Sequence, residues 1–474
     1  MPPLRTILFA ALFALCVLGG LFVPMLGALG YVGHYTIGPE KQWWHAPVSG
    51  LGIRYSYTLA LVTAVGVLLN WNKLKIGELG IHRNEKILLL FLGLVWLSVL
   101  IGPQTVGRYT QPGIDHPSVK FTKVVIFSLL LTRIFTTRLT LDKLLWVLVI
   151  ASLLLGLQAW ETPRRAFISG RLEGVGGPDF AESNFLAAFM ATMLPLIGIM
   201  FLRSGLIGKI VCFFSGAFTA NAVVLTRSRG AFVGIAAGGV VALIAAPKRL
   251  RIPILVLLIL GAAGGFYLSD EQFRERMTTI TRDSGQRDES AESRLLLTKA
   301  SLRMVKDRPL GVGVGNFYQT IGRYIPEYAG KDAHNTYLRC ATEVGVQGAA
   351  VLVLMIVVSL FLLRRIILRC RQLPKDDAGA FSLLAFGVMA SLVTMLGCAL
   401  TVSLTYVEFF WWIMLLPVCL DRALEHRLAE QKTQSETIRK RKKVKAVQSK
   451  ASKPPRSTPR PAGLPEPVAR RAGA

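Results

Sequence analysis

A chain of 474 residues with 55 Lys+Arg against 28 Asp+Glu carries a formal net charge of +27, yet 52% of its residues are hydrophobic and its mean hydropathy is +0.48. That combination excludes a soluble single domain, and the dense apolar runs exclude disorder over most of the length. An all-α polytopic membrane protein remains.

An apolar run of roughly 20 residues crosses hydrocarbon as a helix, and by that rule about twelve transmembrane helices are expected. They fall near 6–30, 53–70, 87–101, 121–135, 144–160, 184–202, 206–225, 230–246, 252–268, 346–363, 379–400 and 406–420. The first run follows Arg5 but is too long for a signal peptide and has no clear small-residue cleavage site, so it reads as one span with its N-terminus inside. Lys73, Lys75, Arg83 and Lys86, then Arg133, Arg138 and Lys143, Arg203 and Lys209, and Lys248, Arg249 and Arg251 fall in alternate connections. Arg364, Arg365, Arg369, Arg371 and Lys375 complete that set, while 31–52, 102–118 and 401–405 carry almost no basic residues. The positive-inside rule then sets N- and C-termini in the cytoplasm.

The longest hydrophilic connection, 269–333, falls outside, on the periplasmic face, within a transmembrane domain of residues 1–420. Loops of this length are commonly lids or binding elements. Leu295, Leu296, Leu302 and Val305 recur at helical spacing, and Pro309 ends the pattern, so an amphipathic helix is expected over 291–307. The tail 421–474 holds 15 Lys+Arg against 5 Asp+Glu, with Pro454, Pro455, Pro459, Pro461, Pro465 and Pro467, and reads as disordered. Its basic stretch from Arg439 to Lys445 reads as a contact with anionic lipid headgroups or a topology signal, and not as a nucleic-acid site.

Six cysteines (16, 212, 340, 370, 398 and 419) and six scattered histidines show no metal-ligand spacing. The informative residues are those that break the charge rule. Arginines on the outer side comprise Arg164, Arg165 and Arg171; Arg227 and Arg229 within Thr226-Arg227-Ser228-Arg229-Gly230-Ala231; and Arg294, Arg303 and Arg308. A guanidinium at the edge of hydrocarbon is costly and is retained with a partner or a function. Arginine matches phosphate oxygens bidentately, which makes this face a place to grip a lipid-linked phosphate or pyrophosphate. The plainer alternative is that Arg227 and Arg229 snorkel to headgroups.

His334 stands at the junction of the long loop and the next span, where a neutral imidazole can take a proton from an attacking hydroxyl. An interfacial histidine without chemistry is its plainer alternative. Asp332 or Asn335 could cap the following helix, on which Arg339 and Glu343, four apart, can pair. Pro309-Leu310-Gly311-Val312-Gly313-Val314-Gly315-Asn316 lacks the strand, helix and acidic residue of a dinucleotide loop. It reads as a turn whose glycines, Gly313 among them, permit close backbone approach, as to a substrate.

Ser228-Arg229-Gly230-Ala231 opening a span, Arg294 in the long loop, Pro309-Leu310-Gly311-Val312-Gly313, and His334-Asn335-Thr336-Tyr337-Leu338 followed by Glu343-Val344-Gly345 and Gly348 together resemble the O-antigen ligase superfamily. Gly177-Pro178-Asp179-Phe180-Ala181-Glu182-Ser183-Asn184 looks like that family's Asn-containing segment. The resemblance covers about residues 170–350 in order and spacing. It implies a GT-C-like membrane glycosyltransferase of the bacterial inner membrane, working without metal or other cofactor. Arg229 and Arg294 would hold the pyrophosphate of an undecaprenyl-linked glycan donor and His334 would act on the acceptor hydroxyl, the acceptor being a glycan, a lipid such as lipid A core, or a protein. Arg171, Asn184, Arg227, Ser228, Arg303, Gly313 and Asn335 would bind substrate. A polysaccharide polymerase with the same donor is the nearest alternative. A transporter would show inverted repeats and midplane polar residues, which the sequence lacks. A scaffold would leave the outer arginines and His334 unexplained.

Overall fold

The computed structural model describes residues 3–102, 115–268, 289–451 and 463. The described residues form helices and turns, with one isolated β-bridge between Ile168 and Arg171. The helices of eight residues or more are α1 (Leu4–Phe22), α2 (Pro24–Ile37), α3 (Tyr55–Leu69), α4 (Arg83–Ile101), α5 (Pro117–Ile134), α6 (Arg138–Glu161), α7 (Ser183–Arg203) and α8 (Leu206–Thr226). They continue as α9 (Arg229–Ala245), α10 (Lys248–Leu268), α11 (Glu289–Asp307), α12 (Thr336–Glu343), α13 (Val346–Arg369), α14 (Lys375–Cys398) and α15 (Glu408–Ala451). By contacts the chain divides into two units, 1–427 and 428–474.

In the first unit the opening half of α15 forms the core: residues 409–424 are all buried. Aromatic rings close around it, with Phe121 5.0 Å from Trp411 and Phe189 5.4 Å from Phe409. Large apolar side chains such as Leu12, Ile207, Leu257 and Leu260 are exposed on the outer helices, as a lipid-facing surface requires. Among the described residues seven helices are long and apolar enough to cross a membrane: α1, α4, α6, α7, α8, α13 and α14. The shorter α3 and α9 are apolar as well. The membrane class stands at this coarser level, below the twelve spans expected.

Two expectations are corrected. The run 6–30 is not one span: Pro24 interrupts it, because proline lacks the N–H that the helix needs and biases Val23 towards extended geometry (φ −132°, ψ 87°). The chain reverses there, bringing Phe9 to His34 (ring centroids 6.4 Å) and Asn70 to the carbonyl of Leu21 (2.9 Å). Small residues permit the tight crossing with α3, where a Cβ on Gly66 would sit 2.1 Å from the Gly20 carbonyl oxygen. The start of α1 therefore lies beside Trp44 and Tyr55, at the end of the bundle where α2 finishes and α3 begins. The beginning of the chain is thus at the opposite end from Asp421 and Arg427, so the two ends of this unit do not share a side as expected.

The tail expected to be disordered from 421 is instead helical through Ala451. Its charges are carried by strong helix formers, and the first tail proline comes only at Pro454. Within the second unit Thr433, Ser435 and Thr437 donate to carbonyls four residues back at 2.9–3.1 Å. In the long connection, the amphipathic helix expected over 291–307 is α11, and residues 269–288 lie outside the described residues. Leu297, Ala300 and Met304 seat α11 against Phe317 and Ile321.

Candidate active site

The ends of α6, α8 and α14 and the starts of α7, α9, α13 and α15 meet at one end of the bundle, joined by main-chain bonds such as Leu172 N to Leu225 O (3.2 Å) and Thr336 N to Ala399 O (2.9 Å). A tight turn closed by the Ile168–Arg171 bridge presents Arg171. Its Nε donates to the Thr226 carbonyl (2.9 Å) and its Nη2 to Asn184 Oδ1 (2.7 Å). The Ser228 hydroxyl donates to the same Asn184 oxygen (3.0 Å). Asn184, in the first turn of α7, thus ties the Arg171 turn to the α8–α9 connection. Arg227 terminates α8 in the left-handed region (φ +49°), and Ser228 precedes α9, whose first residue is Arg229. The positive end of the helix dipole at that position favours an anion.

His334 also has a left-handed backbone, with φ +48°. A non-glycine residue in that region is held by its surroundings, and such strain gathers at functional sites. Here Asp332 Oδ2 accepts the His334 backbone N–H (3.3 Å), and Thr336 is fixed by the Val402 carbonyl (2.6 Å). Burial pushes the imidazole below its ordinary value; Asp332 opposes this, and Arg294, Arg171 and Arg339 add to the fall. Arg171 and Arg294 are therefore within electrostatic reach of His334, which is neutral and able to accept a proton at neutral pH.

Three expected site residues are differently employed. Arg303 is exposed and stands nine positions, two and a half turns, after Arg294, so it occupies the opposite face of α11. Asn335 spends its Oδ1 as the cap of α12, accepting from Leu338 N (3.0 Å). Gly313 has φ +88°, and its glycine is required by the chain itself: a Cβ would meet Gly102 Cα at 3.0 Å and Asn316 Nδ2 at 2.9 Å.

The composition of the support behind His334 was only half legible. Glu343 is fully buried and pairs with Arg339 (3.5 Å), as the four-residue spacing implies. The same Glu343 oxygen also takes the backbone N–H of Gly315 (3.2 Å) and of Phe317 (3.4 Å), and its other oxygen takes the Tyr406 hydroxyl (2.7 Å). The glycine turn is thus folded around this carboxylate. Arg339 reaches on to Asp332 (2.5 Å) and Tyr318 (2.7 Å). Asp332 was expected only as a possible helix cap; with Asn335 in that role, its carboxylate faces the imidazole. Asp179, in the Asn-containing segment, accepts from Tyr35 (2.5 Å) and pairs with Lys120, anchoring that segment to α2 and α5.

The fold and this end define an all-helical membrane protein with arginines and a neutral histidine gathered in the connections at one end. Residues 214–353, under a third of the chain, match the O-antigen ligase family. The matched stretch holds Arg227, Arg229, Arg294 and His334, and over these residues the chain is similar to that family. No curated protein matches the chain.

Proposed function

We propose that the protein transfers a glycan from undecaprenyl pyrophosphate to an acceptor hydroxyl at the external face of the bacterial inner membrane. The observation that carries the reading is the convergence of Arg171 and Arg294 on a neutral His334. His334 takes the acceptor proton as the acceptor oxygen attacks the anomeric carbon. The carbon–oxygen bond to pyrophosphate breaks, and its electron pair leaves with the phosphate, giving inversion in one displacement. Arg229, Arg294 and Arg171 stabilise the charge gathering on the leaving group, the role a divalent cation has in other transferases. Asn184, Ser228 and Arg227 shape the cradle.

Purified protein given an undecaprenyl-pyrophosphate oligosaccharide should release undecaprenyl pyrophosphate only when a suitable acceptor is present, and should do so in EDTA. Transfer to a lipid core marks a ligase, and chain extension marks a polymerase. Release that needs no acceptor, or no release with any donor from folded protein, refutes the reading.

A further inference from the structure

One atom of the site is left over by the chemistry above. His334 Nδ1 is buried and has no hydrogen-bond partner, which is costly for a ring nitrogen that must carry either a proton or a lone pair. Asp332 Oδ2 lies 3.8 Å from it, with the Asp332 side chain 14% exposed. The other Asp332 oxygen is clamped by Arg339 at 2.5 Å, and Arg339 is shared with the fully buried Glu343. The charges along this row alternate: Glu343 negative, Arg339 positive, Asp332 negative. Of this row, Asp332 favours the charged imidazole and Arg339 opposes it. Asp332 is in turn fixed by Arg339 Nη1, and it holds the left-handed His334 backbone through the N–H bond of 3.3 Å.

We propose that Asp332 is the positioning residue for His334, accepting the Nδ1 proton so that the Nε2 lone pair faces the acceptor hydroxyl, and balancing the imidazolium that forms on proton transfer. The assignment rests on the reading of His334 as the base. A gap of 3.8 Å closes to a hydrogen bond with about 1 Å of movement, and hydrogen bonds that are long in unliganded sites tighten when substrate is bound. A carboxylate behind a histidine fixes its tautomer and stabilises the charged form, without taking the proton itself. The groups facing the ring are Asp332 from its own loop, Arg339 from α12, Arg294 from α11 and Arg171 from the turn before α7. Asp332 alone among these four is negative, so its removal leaves three positive charges acting on the imidazole.

The test uses full-length protein in detergent and two independent readouts. Diethylpyrocarbonate modifies neutral imidazole, so the pH midpoint of His334 modification, followed by peptide mass spectrometry without substrate, reports the ring directly. In Asp332→Asn that midpoint should fall by about one pH unit, the size expected for losing an adjacent opposite charge. In the transfer assay, kcat should fall about 100-fold with the donor KM little changed, and the acid limb of the pH profile should move to lower pH. Should Asp332→Asn fail to fold, Asp332→Ser, which keeps a short acceptor for Arg339 and drops the charge, takes its place. An unchanged midpoint in a folded variant, or unchanged kcat, overturns the proposal. Wild-type protein that transfers nothing overturns the function reading instead, and the modification midpoint still decides whether Asp332 governs the imidazole.

Discussion

Helix α7 joins two ends of the bundle that treat arginine differently. At its last residue Arg203 forms a two-pronged bond with the Asp142 carboxylate at 2.7 and 2.9 Å. Around that end Arg133 and Arg422 both meet the fully buried Glu85, Arg138 and Arg427 share Asp377, and Arg369 meets Asp421. At the first turn of α7, Arg171 instead bonds the amide oxygen of Asn184 and the carbonyl of Thr226. Those two acceptors fix the direction of the guanidinium. A carboxylate uses up an arginine structurally; an amide orients it for an anion. The first end fastens helices together through such pairs; the second has pairs of its own, Arg339 with Asp332 and Glu343, and adds the Arg171 guanidinium held by an amide and a carbonyl within electrostatic reach of His334.

The sharpest break in this contrast comes from the histidine. His334→Ala should lower glycan transfer about 1000-fold while leaving insertion and thermal unfolding unchanged, since a general base contributes about 100- to 10,000-fold. Because the imidazole must be neutral to act and its site pushes its pKa down, activity should persist below the ordinary histidine midpoint of about 6.5 and fall only at lower pH. A pH–rate profile with its acid limb above that value would contradict the electrostatics of the site. Arg229→Ala and Arg294→Ala should each cost about 100-fold in transfer, the scale of losing one preorganised charge donor, with Lys restoring part of it. Isotope-labelled donor release measures both.

At the opposite end the order of effects should reverse. Glu85→Ala leaves Arg133 and Arg422 side by side without the carboxylate that both bond, and breaking such a buried cluster costs about 3–5 kcal/mol. Thermal denaturation should show the loss, while transfer per folded molecule stays near the wild-type level. Equal loss of activity per folded molecule would mean that the two ends are coupled.

The apolar segments were legible because burial and lipid exposure both select apolar residues: the ten expected segments from 53 to 400 each coincide with a helix to within six residues at either end, whereas 406–420 is only the opening of α15. Hydropathy failed at 6–30 for a physical reason: it counts apolar residues and is blind to a reversal at Pro24 that exposes no polar group to lipid. It failed at 421–451 because high charge was read as disorder, although Leu, Ala, Glu, Gln, Lys and Arg all favour helix. The candidate residues Arg171, Arg229, Arg294 and His334 stood out in the sequence as polar exceptions on one side, and Asn184 through the family resemblance. Asp332 was obscured by Asn335, since either could cap α12 and only coordinates show which one does. The glycine turn was legible as a turn but not as the wrapping of Glu343, which lies 28 residues beyond Gly315.

Arg303 offers the smallest effect and the cleanest check on how far residue type alone can be trusted. It shares with Arg294 its charge, its helix and its loop, and differs in register: nine residues at 100° each turn it half a revolution from Arg294. The inward side of α11 is set by Leu297, Ala300, Ser301 and Met304, all buried, and Arg303 falls on the exposed side. Arg303→Ala should therefore leave transfer, its pH profile and unfolding within about twofold and about 0.5 kcal/mol of wild type, as exposed substitutions generally do. If Arg303→Ala instead matched Arg294→Ala, both faces of α11 would have to meet the substrate, and the donor pyrophosphate would have to reach across the helix.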